Sequence, residues 1–200
     1  MTRKVLLSLV LTCWTALTPI AAVASVTDAQ QPGQTTTDTP SGGDPALSQE
    51  AIDRELDQFR RAGVSLHQAL RIAEKIHPGS KTADISFEGG LDAPIYKVRT
   101  LQSGQIWESD IDGSTAKVLN SVLFSTVQGL NESDRDSLTA LSTVPLKMSD
   151  AIRIAERSAA GKAISGGLMN KDGKLAFIII VVSGKDLKQV TLESASLRRR

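Results

Sequence analysis

Two histidines and one cysteine are the residues of this 200-residue chain best suited to nucleophilic or metal chemistry. Cys13 lies in an apolar N-terminal run, whereas His67 and His77 are ten residues apart and so do not have the spacing of a metal-ligand pair on a helix. A catalytic nucleophile also needs a neighbouring base and an orienting group. The sequence therefore predicts a protein that is not an enzyme, with no metal and no cofactor, in which both histidines have structural or solvated roles.

An acidic stretch near the middle of the chain superficially resembles a calcium-binding loop. Asp110, Asp112 and Gly113 have the right types, but Ser114 and Ala116 follow where further acidic ligands would be needed. Asp-Gly is also typical of a chain that turns at the end of a strand. A turn is the interpretation that the sequence favours.

A ten-residue phrase occurs twice, and it predicts the elements that position these side chains. LHQALRIAEK at 66–75 and MSDAIRIAER at 148–157 share five identical positions. Leu66, Ala69, Leu70 and Ala73 fall on one stripe of a helix, and the small alanines would let its backbone approach a flat surface closely. An internal repeat should govern the fold. We expect two equivalent helices, each packed on a sheet.

Three alternating segments follow the first phrase, at 82–88, 94–101 and 105–112, and the short turns between them favour antiparallel hairpins. The predicted fold class is α+β. It consists of two tandem repeats, each with a main helix on a small antiparallel sheet of about three strands and a short preceding helix. The first repeat is placed at 46–120 and the second, divergent one at 121–200.

Two features of the predicted strands leave a functional alternative open. The segment 175–182 is apolar on both faces, which favours packing against the other repeat over an external partner. Tyr96 and Trp107 lie on strands, where aromatic side chains usually serve the core. If a partner docks on the sheet, these two residues are the predicted anchors.

The N-terminal residues have the pattern of a secretory signal peptide. A positive start, an apolar run and the small residues before Ser25 predict a signal at 1–24, with cleavage after Ala24. A retained anchor is the less favoured alternative, and Thr12 argues against lipid attachment at Cys13. Residues 25–45 are rich in polar residues and Gly and Pro, as in a disordered linker. The mature protein should be periplasmic or secreted, with no stable membrane insertion.

The charge balance excludes a nucleic-acid-binding protein. Removing Arg3 and Lys4 with the signal reduces 23 basic residues to 21, against 22 acidic ones. Such a chain lacks the basic excess that binding to phosphate backbones requires.

From the first helix onward, the order of motifs resembles the PepSY domain family. The residues that carry the resemblance are Pro78-Gly79, the Tyr96-x-Val98 strand, Trp107 and the segment IDGSTAKVL at 111–119. The resemblance covers 64–119 well and 146–197 less well. Ala116 stands where the family has glycine, and Ile178 replaces the tyrosine in the second copy.

The resemblance implies an exported, non-catalytic binding or regulatory protein. PepSY domains occur in the propeptides of secreted thermolysin-like metallopeptidases, so the implied partner is a protein, and a secreted or envelope peptidase that the chain modulates or inhibits by contact fits best. The alternative is a periplasmic binding protein that responds to a small ligand or a cation through carboxylates near the repeat junction. The identity of the partner and the oligomeric state stay open.

Overall fold

The computed structural model describes residues 49–89, 93–171 and 174–194. The signal peptide predicted at 1–24 and the linker predicted at 25–45 lie outside these ranges. Residues from Gln49 onward belong to one compact unit of mixed helix and sheet.

Four helices and seven strands make up the described ranges. In chain order they are α1 Gln49–Arg61, α2 Leu66–Ile76, β1 Lys81–Gly89, β2 Pro94–Gln102, β3 Gln105–Asp112, β4 Val118–Thr126, α3 Glu132–Thr143, α4 Met148–Ala159, β5 Lys162–Lys171, β6 Lys174–Ser183 and β7 Asp186–Glu193. A short 3-10 turn, Val127–Gly129, follows β4.

The strands form one continuous antiparallel sheet, in the order β4-β3-β2-β1-β5-β6-β7. The α+β class is confirmed. Whether the two units share one sheet was open from the sequence, and the structure has a single sheet of seven strands. The first half contributes four of these strands, where about three were expected. The join is the pairing of β1 with β5, and β4 extends across residue 120, where the sequence placed the boundary between the two units.

One face of the sheet is covered by the helices. The predicted stripe on α2, Leu66 to Ala73, is fully buried, and α2 contacts β1, β2 and β3 as α4 contacts β5, β6 and β7. Phe59 of α1 makes an edge contact with Phe87 of β1 at 5.3 Å between ring centroids, on the same face. We call this the helix-covered face and the opposite one the open face.

The two halves meet around an approximate twofold axis at the centre of the sheet. Ile85 of β1 pairs with Gly166 of β5. Just before this pair, the register shifts between Thr82 and Asp84 in β1 and between Ala163 and Ser165 in β5. Glu74 of α2 accepts a hydrogen bond from the Thr82 hydroxyl at 3.0 Å, and Glu156 of α4 accepts one from the Ala163 backbone N–H, also at 3.0 Å. The repeated glutamate therefore ties each main helix to the start of the strand that follows it.

Local sequence explains where the main helices begin and how closely they pack. Ser65 caps α2, and its hydroxyl oxygen accepts the Gln68 N–H at 3.2 Å. After α4, a side chain at Gly161 would collide with the Val182 backbone carbonyl, so only glycine fits between helix and strand there.

Candidate functional site

The two predicted anchors both lie on the helix-covered face. Tyr96 is fully buried, and its hydroxyl donates to the Val64 carbonyl at 2.6 Å. Burial raises the pKa of Tyr96 to about 12. Trp107 is half-buried and stacks on the His77 ring, with centroids 4.6 Å apart. A partner docked on the open face would meet neither ring, and their role as anchors stays a prediction.

His77 lies next to a serine, and a histidine beside a serine is one part of a nucleophilic triad. Its Nε2 lies 3.0 Å from Ser121 Oγ, which in turn lies 3.0 Å from Ser109 Oγ. Burial lowers the pKa of His77, which favours the neutral ring. Ser121 is the hydrogen-bond partner that the described residues provide for His77, so the orienting carboxylate of a nucleophilic triad is not among them. The cluster has the geometry of a structural polar network.

His67 pairs with the other half of the molecule. Its Nε2 lies 3.1 Å from Glu156 Oε2, beside a cleft of about 360 Å³ between the α1–α2 connection and the α4–β5 connection. Arg60 and Lys162 also line this cleft, with apolar walls that include Val64 and the edge of Tyr96. In the described part of the chain, no three His, Cys, Asp or Glu side chains are grouped so as to hold a metal ion. The two cationic side chains of the cleft could contact a small ligand that carries anionic or polar groups.

Asp112, the centre of the superficial calcium motif, ends a strand. Its Oδ1 accepts the backbone N–H groups of Ser114 and Thr115 at 2.8 and 2.7 Å. These donors lower the pKa of Asp112, those of Thr115 most strongly. The carboxylate is thus used by the turn that the sequence favoured.

The open face of β1, β2 and β3 carries alternating charges. Acidic side chains on β1 and β3 flank basic side chains on β2, and we call the set the charge ladder: Asp84, Glu88, Lys97, Arg99, Glu108 and Asp110. Strand register places Asp84, Arg99 and Glu108 in one row across the sheet, which we call the arginine row. In the neighbouring lysine row Lys97 lies directly opposite Asp110, while Glu88 lies diagonal to Lys97, whose direct partner on β1 is Ser86. Opposite charges directly across an antiparallel pair are mutually stabilising.

The arginine row is the more buried part of the charge ladder. Arg99 donates from Nε and Nη2 to Glu108 Oε2, both at 2.8 Å, and its guanidinium lies 4.5 Å from the centre of the Phe124 ring. Asp84 is on the other side of Arg99, against Gly167 of β5, where a Cβ would come within 3.1 Å of its Oδ2. Burial raises the pKa of Asp84 to about 6, although Arg99 opposes the shift.

The lysine row is more accessible. Lys97 Nζ lies 3.1 Å from Glu88 Oε2, and this hydrogen bond is the main reason that the pKa of Lys97 is raised. Asp110 lies across from Lys97 on β3, and burial raises its pKa. Four carboxylates thus share two cations, which leaves the ladder with excess negative charge.

On β6, the open face is apolar. Ile178 and Ile180 of β6 point to this face and are half-buried, while Phe177 and Ile179 point to the helices and are fully buried. The strand predicted to be apolar on both faces is therefore covered by helix on one side, and its second side is partly accessible. A partner would find charged and apolar areas side by side.

Sequence reasoning had a signal for the charge ladder. Lys97 and Arg99 alternate with buried residues, and the acidic residues of β1 and β3 do the same with a period of two. Local sequence gives no sign that Gly167 of β5 lies against the arginine row. That contact arises only because strands distant in sequence lie side by side.

One known protein family matches part of this chain. Residues 63–122 match the family described as PepSY, peptidase propeptide and YPEB domain. The chain contains a PepSY domain. The match runs from just before α2 into β4, so this PepSY domain contains the whole charge ladder.

Other comparisons are weaker. A crystal structure of a Clostridium difficile 630 protein, provisionally described as a lipoprotein, is similar at 18% sequence identity and a TM-score of 0.38, and the alignment covers 66% of this chain and 88% of that one. No curated protein matches the chain significantly. Within the three described ranges, no helix is both long and apolar enough to cross a membrane.

Proposed function

We propose that this PepSY-containing chain is an exported, non-catalytic regulatory protein that binds a secreted or envelope peptidase through the open face of its sheet. The observation that most supports this proposal is that the helices cover one face of the sheet. The other face presents the charge ladder and, on β6, an apolar strip. Charged groups at an interface fix orientation and steer encounter, while apolar area supplies affinity. The family's description as a peptidase propeptide domain supports the class of partner.

The proposal includes the architecture of the second half. The residues after β4 act as a divergent copy of the unit that precedes them, which the repeated helix phrase, the paired glutamates and the approximate twofold support. Duplication gives a wider open face than one unit provides, and divergence makes this face charged on β1 to β3 and apolar on β6.

Export rests on the N-terminal sequence. Residues 1–24 act as a signal peptide that is cleaved after Ala24, which places the working protein in the periplasm or outside the cell. Mass spectrometry of the exported chain should find Ser25 at the N-terminus. An N-terminus at Met1 on membrane-bound protein would support the anchor instead.

Binding to a peptidase can be tested by reversing one charge on each face. Lys97→Glu changes the accessible row of the charge ladder, and Arg71→Glu changes an exposed position on α2, away from the open face. Biolayer interferometry with immobilised thermolysin, and with a secreted metallopeptidase of the same organism, should show at least about tenfold weaker binding for Lys97→Glu alone. Absence of binding to both peptidases, or equal loss with both variants, would sink the proposal.

A ligand-responsive periplasmic protein is the second candidate, and the cleft of about 360 Å³ beside Glu156 favours it. Any ligand that binds the native state alone raises the melting temperature. Thermal melts with calcium, magnesium, zinc and citrate distinguish the candidates. A concentration-dependent rise that Lys162→Met abolishes would support the ligand site, and unchanged melts would exclude these ligands.

A further inference from the structure

The two edges of the sheet differ in how they are protected. Strand β7 carries Asp186, Lys188 and Glu193, and charges of this kind discourage pairing with another strand. Strand β4 has the sequence VLNSVLFST, and among the strands of the described ranges it alone has no charged residue. Its outer side has no neighbouring strand in those ranges.

Exposed apolar side chains are concentrated on this edge. Of the six large hydrophobic side chains exposed in the described residues, five belong to β4: Val118, Leu119, Val122, Leu123 and Phe124. Leu119 is 55% exposed and Val122 is 44% exposed. Because Val122 pairs with Glu108 and Leu123 with Trp107, the apolar residues project on both faces of the strand. A long, uncharged, apolar edge is a template for pairing with another strand.

The composition of β4 restricts which strand can pair with it. A charged partner strand would place unpaired charges against apolar side chains, so the partner strand must itself be uncharged and apolar. Strand β4 of a second copy meets this requirement. The fold already contains the required geometry, because β1 and β5 join equivalent halves by antiparallel pairing around an approximate twofold.

We propose that the chain forms a homodimer in which β4 pairs antiparallel with β4 of a second copy, with Val122 facing its own symmetry mate. An isologous contact of this kind closes on itself and does not propagate into fibres. In this register Ser121 lies opposite Leu123 on the helix-covered face, and the flanking Lys117 lies opposite Val127. No like charges lie opposite each other across the β4–β4 interface.

The dimer extends the proposed function without depending on it. Pairing yields one sheet of 14 strands, seven from each copy. Both charge ladders then lie on the same open face, near the β4–β4 interface. Loss of peptidase binding with an intact dimer would refute the proposed function alone, and a monomer that binds peptidase would refute the dimer alone.

A single engineered cysteine tests the register. In full chain carrying Cys13→Ser, Val122→Cys places two thiols across a twofold, where antiparallel pairs have Cα–Cα distances of about 4.5–5.5 Å that a disulfide can bridge. Copper-phenanthroline oxidation should convert this variant into covalent dimer. Gln189→Cys, on the charged edge strand β7, is the matched control and should form no covalent dimer on oxidation.

Sedimentation equilibrium gives the independent measurement. Val122→Lys places two like charges face to face and should raise the dimer dissociation constant at least about tenfold, while Val122→Thr keeps the β-branched shape and the dimer. Circular dichroism melts check that both variants fold. A wild-type monomer at high micromolar concentration, equal crosslinking of both cysteine variants, or crosslinking of Val122→Cys to a different protein would overturn the proposal.

Discussion

Replacing Asp84 by asparagine should make the protein more stable at neutral pH. The Asp84 carboxylate lies within the arginine row of the charge ladder, where burial raises its pKa from 3.8 to about 6. Arg99 favours the ionised form, and the carboxylates of Glu108 and Glu88 disfavour it. Because Arg99 already holds Glu108 at 2.8 Å, an amide at position 84 leaves the arginine paired.

The sign of the pH dependence follows from the direction of the shift. Between pH 3.8 and about 6 the folded protein holds a proton on Asp84 that the unfolded chain has lost, so stability falls as the pH rises through this window. The difference between the two pKa values, at 1.36 kcal/mol per unit, corresponds to about 3 kcal/mol. Water reaches part of this face, so the measured gain for Asp84→Asn above pH 7 should be about 1–3 kcal/mol.

Urea unfolding at intervals from pH 4 to pH 8 measures this gain. Wild-type and Asp84→Asn should be nearly equal in stability at pH 4, diverge as the pH rises from 4 to about 6, and keep a constant difference above that. Asp112→Asn is the matched control, because backbone donors lower the pKa of Asp112 and its contribution has the opposite sign. Asp112→Asn should lose stability near neutral pH and approach wild-type as the pH falls through the folded pKa. An Asp84→Asn variant that is less stable at pH 7.5 and as stable at pH 4 would show that attraction to Arg99 outweighs burial, and would refute the reasoning.

Three further variants test the packing between helices and sheet by the same urea assay. Tyr96→Phe removes the donor to the buried Val64 carbonyl and should cost about 1–3 kcal/mol. Gly161→Ala forces a methyl group into the Val182 carbonyl and should cost about 3 kcal/mol or more. Lys81→Met removes an ammonium that donates to three carbonyls at the C-terminus of α3, at 2.8–3.0 Å, and should cost about 1–2 kcal/mol.

Controls for two of these variants are the same residue types at positions with open surroundings. Gly184→Ala meets no atom within 4 Å, so its cost arises from its positive φ of 61° alone and should be smaller than that of Gly161→Ala. Lys185→Met, at an exposed turn, should be within about 0.5 kcal/mol of wild-type. If either control is as destabilising as its partner, the contact named for that partner is not the cause.

Local patterns in the sequence were sufficient for the elements of the first half. The apolar stripe and Ser65 cap predict α2, and alternation predicts strands at 82–88, 94–101 and 105–112, within a residue of β1, β2 and β3. These signals are local because a helix cap and a two-residue alternation depend on near neighbours alone.

The continuous sheet was beyond those patterns because strand pairing joins residues far apart in sequence. Pairing of Ile85 with Gly166 depends on both halves being present, and no turn between β1 and β5 signals it. Strand β4 was missed for a different reason: its apolar residues project on both faces, so the alternation that marks a half-buried strand is absent. The charge ladder is half visible in the sequence, since Lys97 and Arg99 alternate with Tyr96 and Val98, but their acidic partners are found only from the strand register.

Differences between the halves separate what serves the fold from what can serve binding. The main helices of both halves carry a buried alanine, Ala69 or Ala151, and a glutamate, Glu74 or Glu156, that accepts a hydrogen bond from the start of the following strand. These residues hold helix to sheet in each half. The charge ladder occurs in the first half alone, opposite the apolar side of β6, and β4 has no counterpart beyond β7 in the described ranges. The lysine row of the charge ladder and the outer side of β4 lie outside the core that the helices cover. We therefore expect substitutions in the charge ladder's accessible row and on β4 to alter binding and assembly before they alter folding, and substitutions at the shared alanines and glutamates to do the reverse.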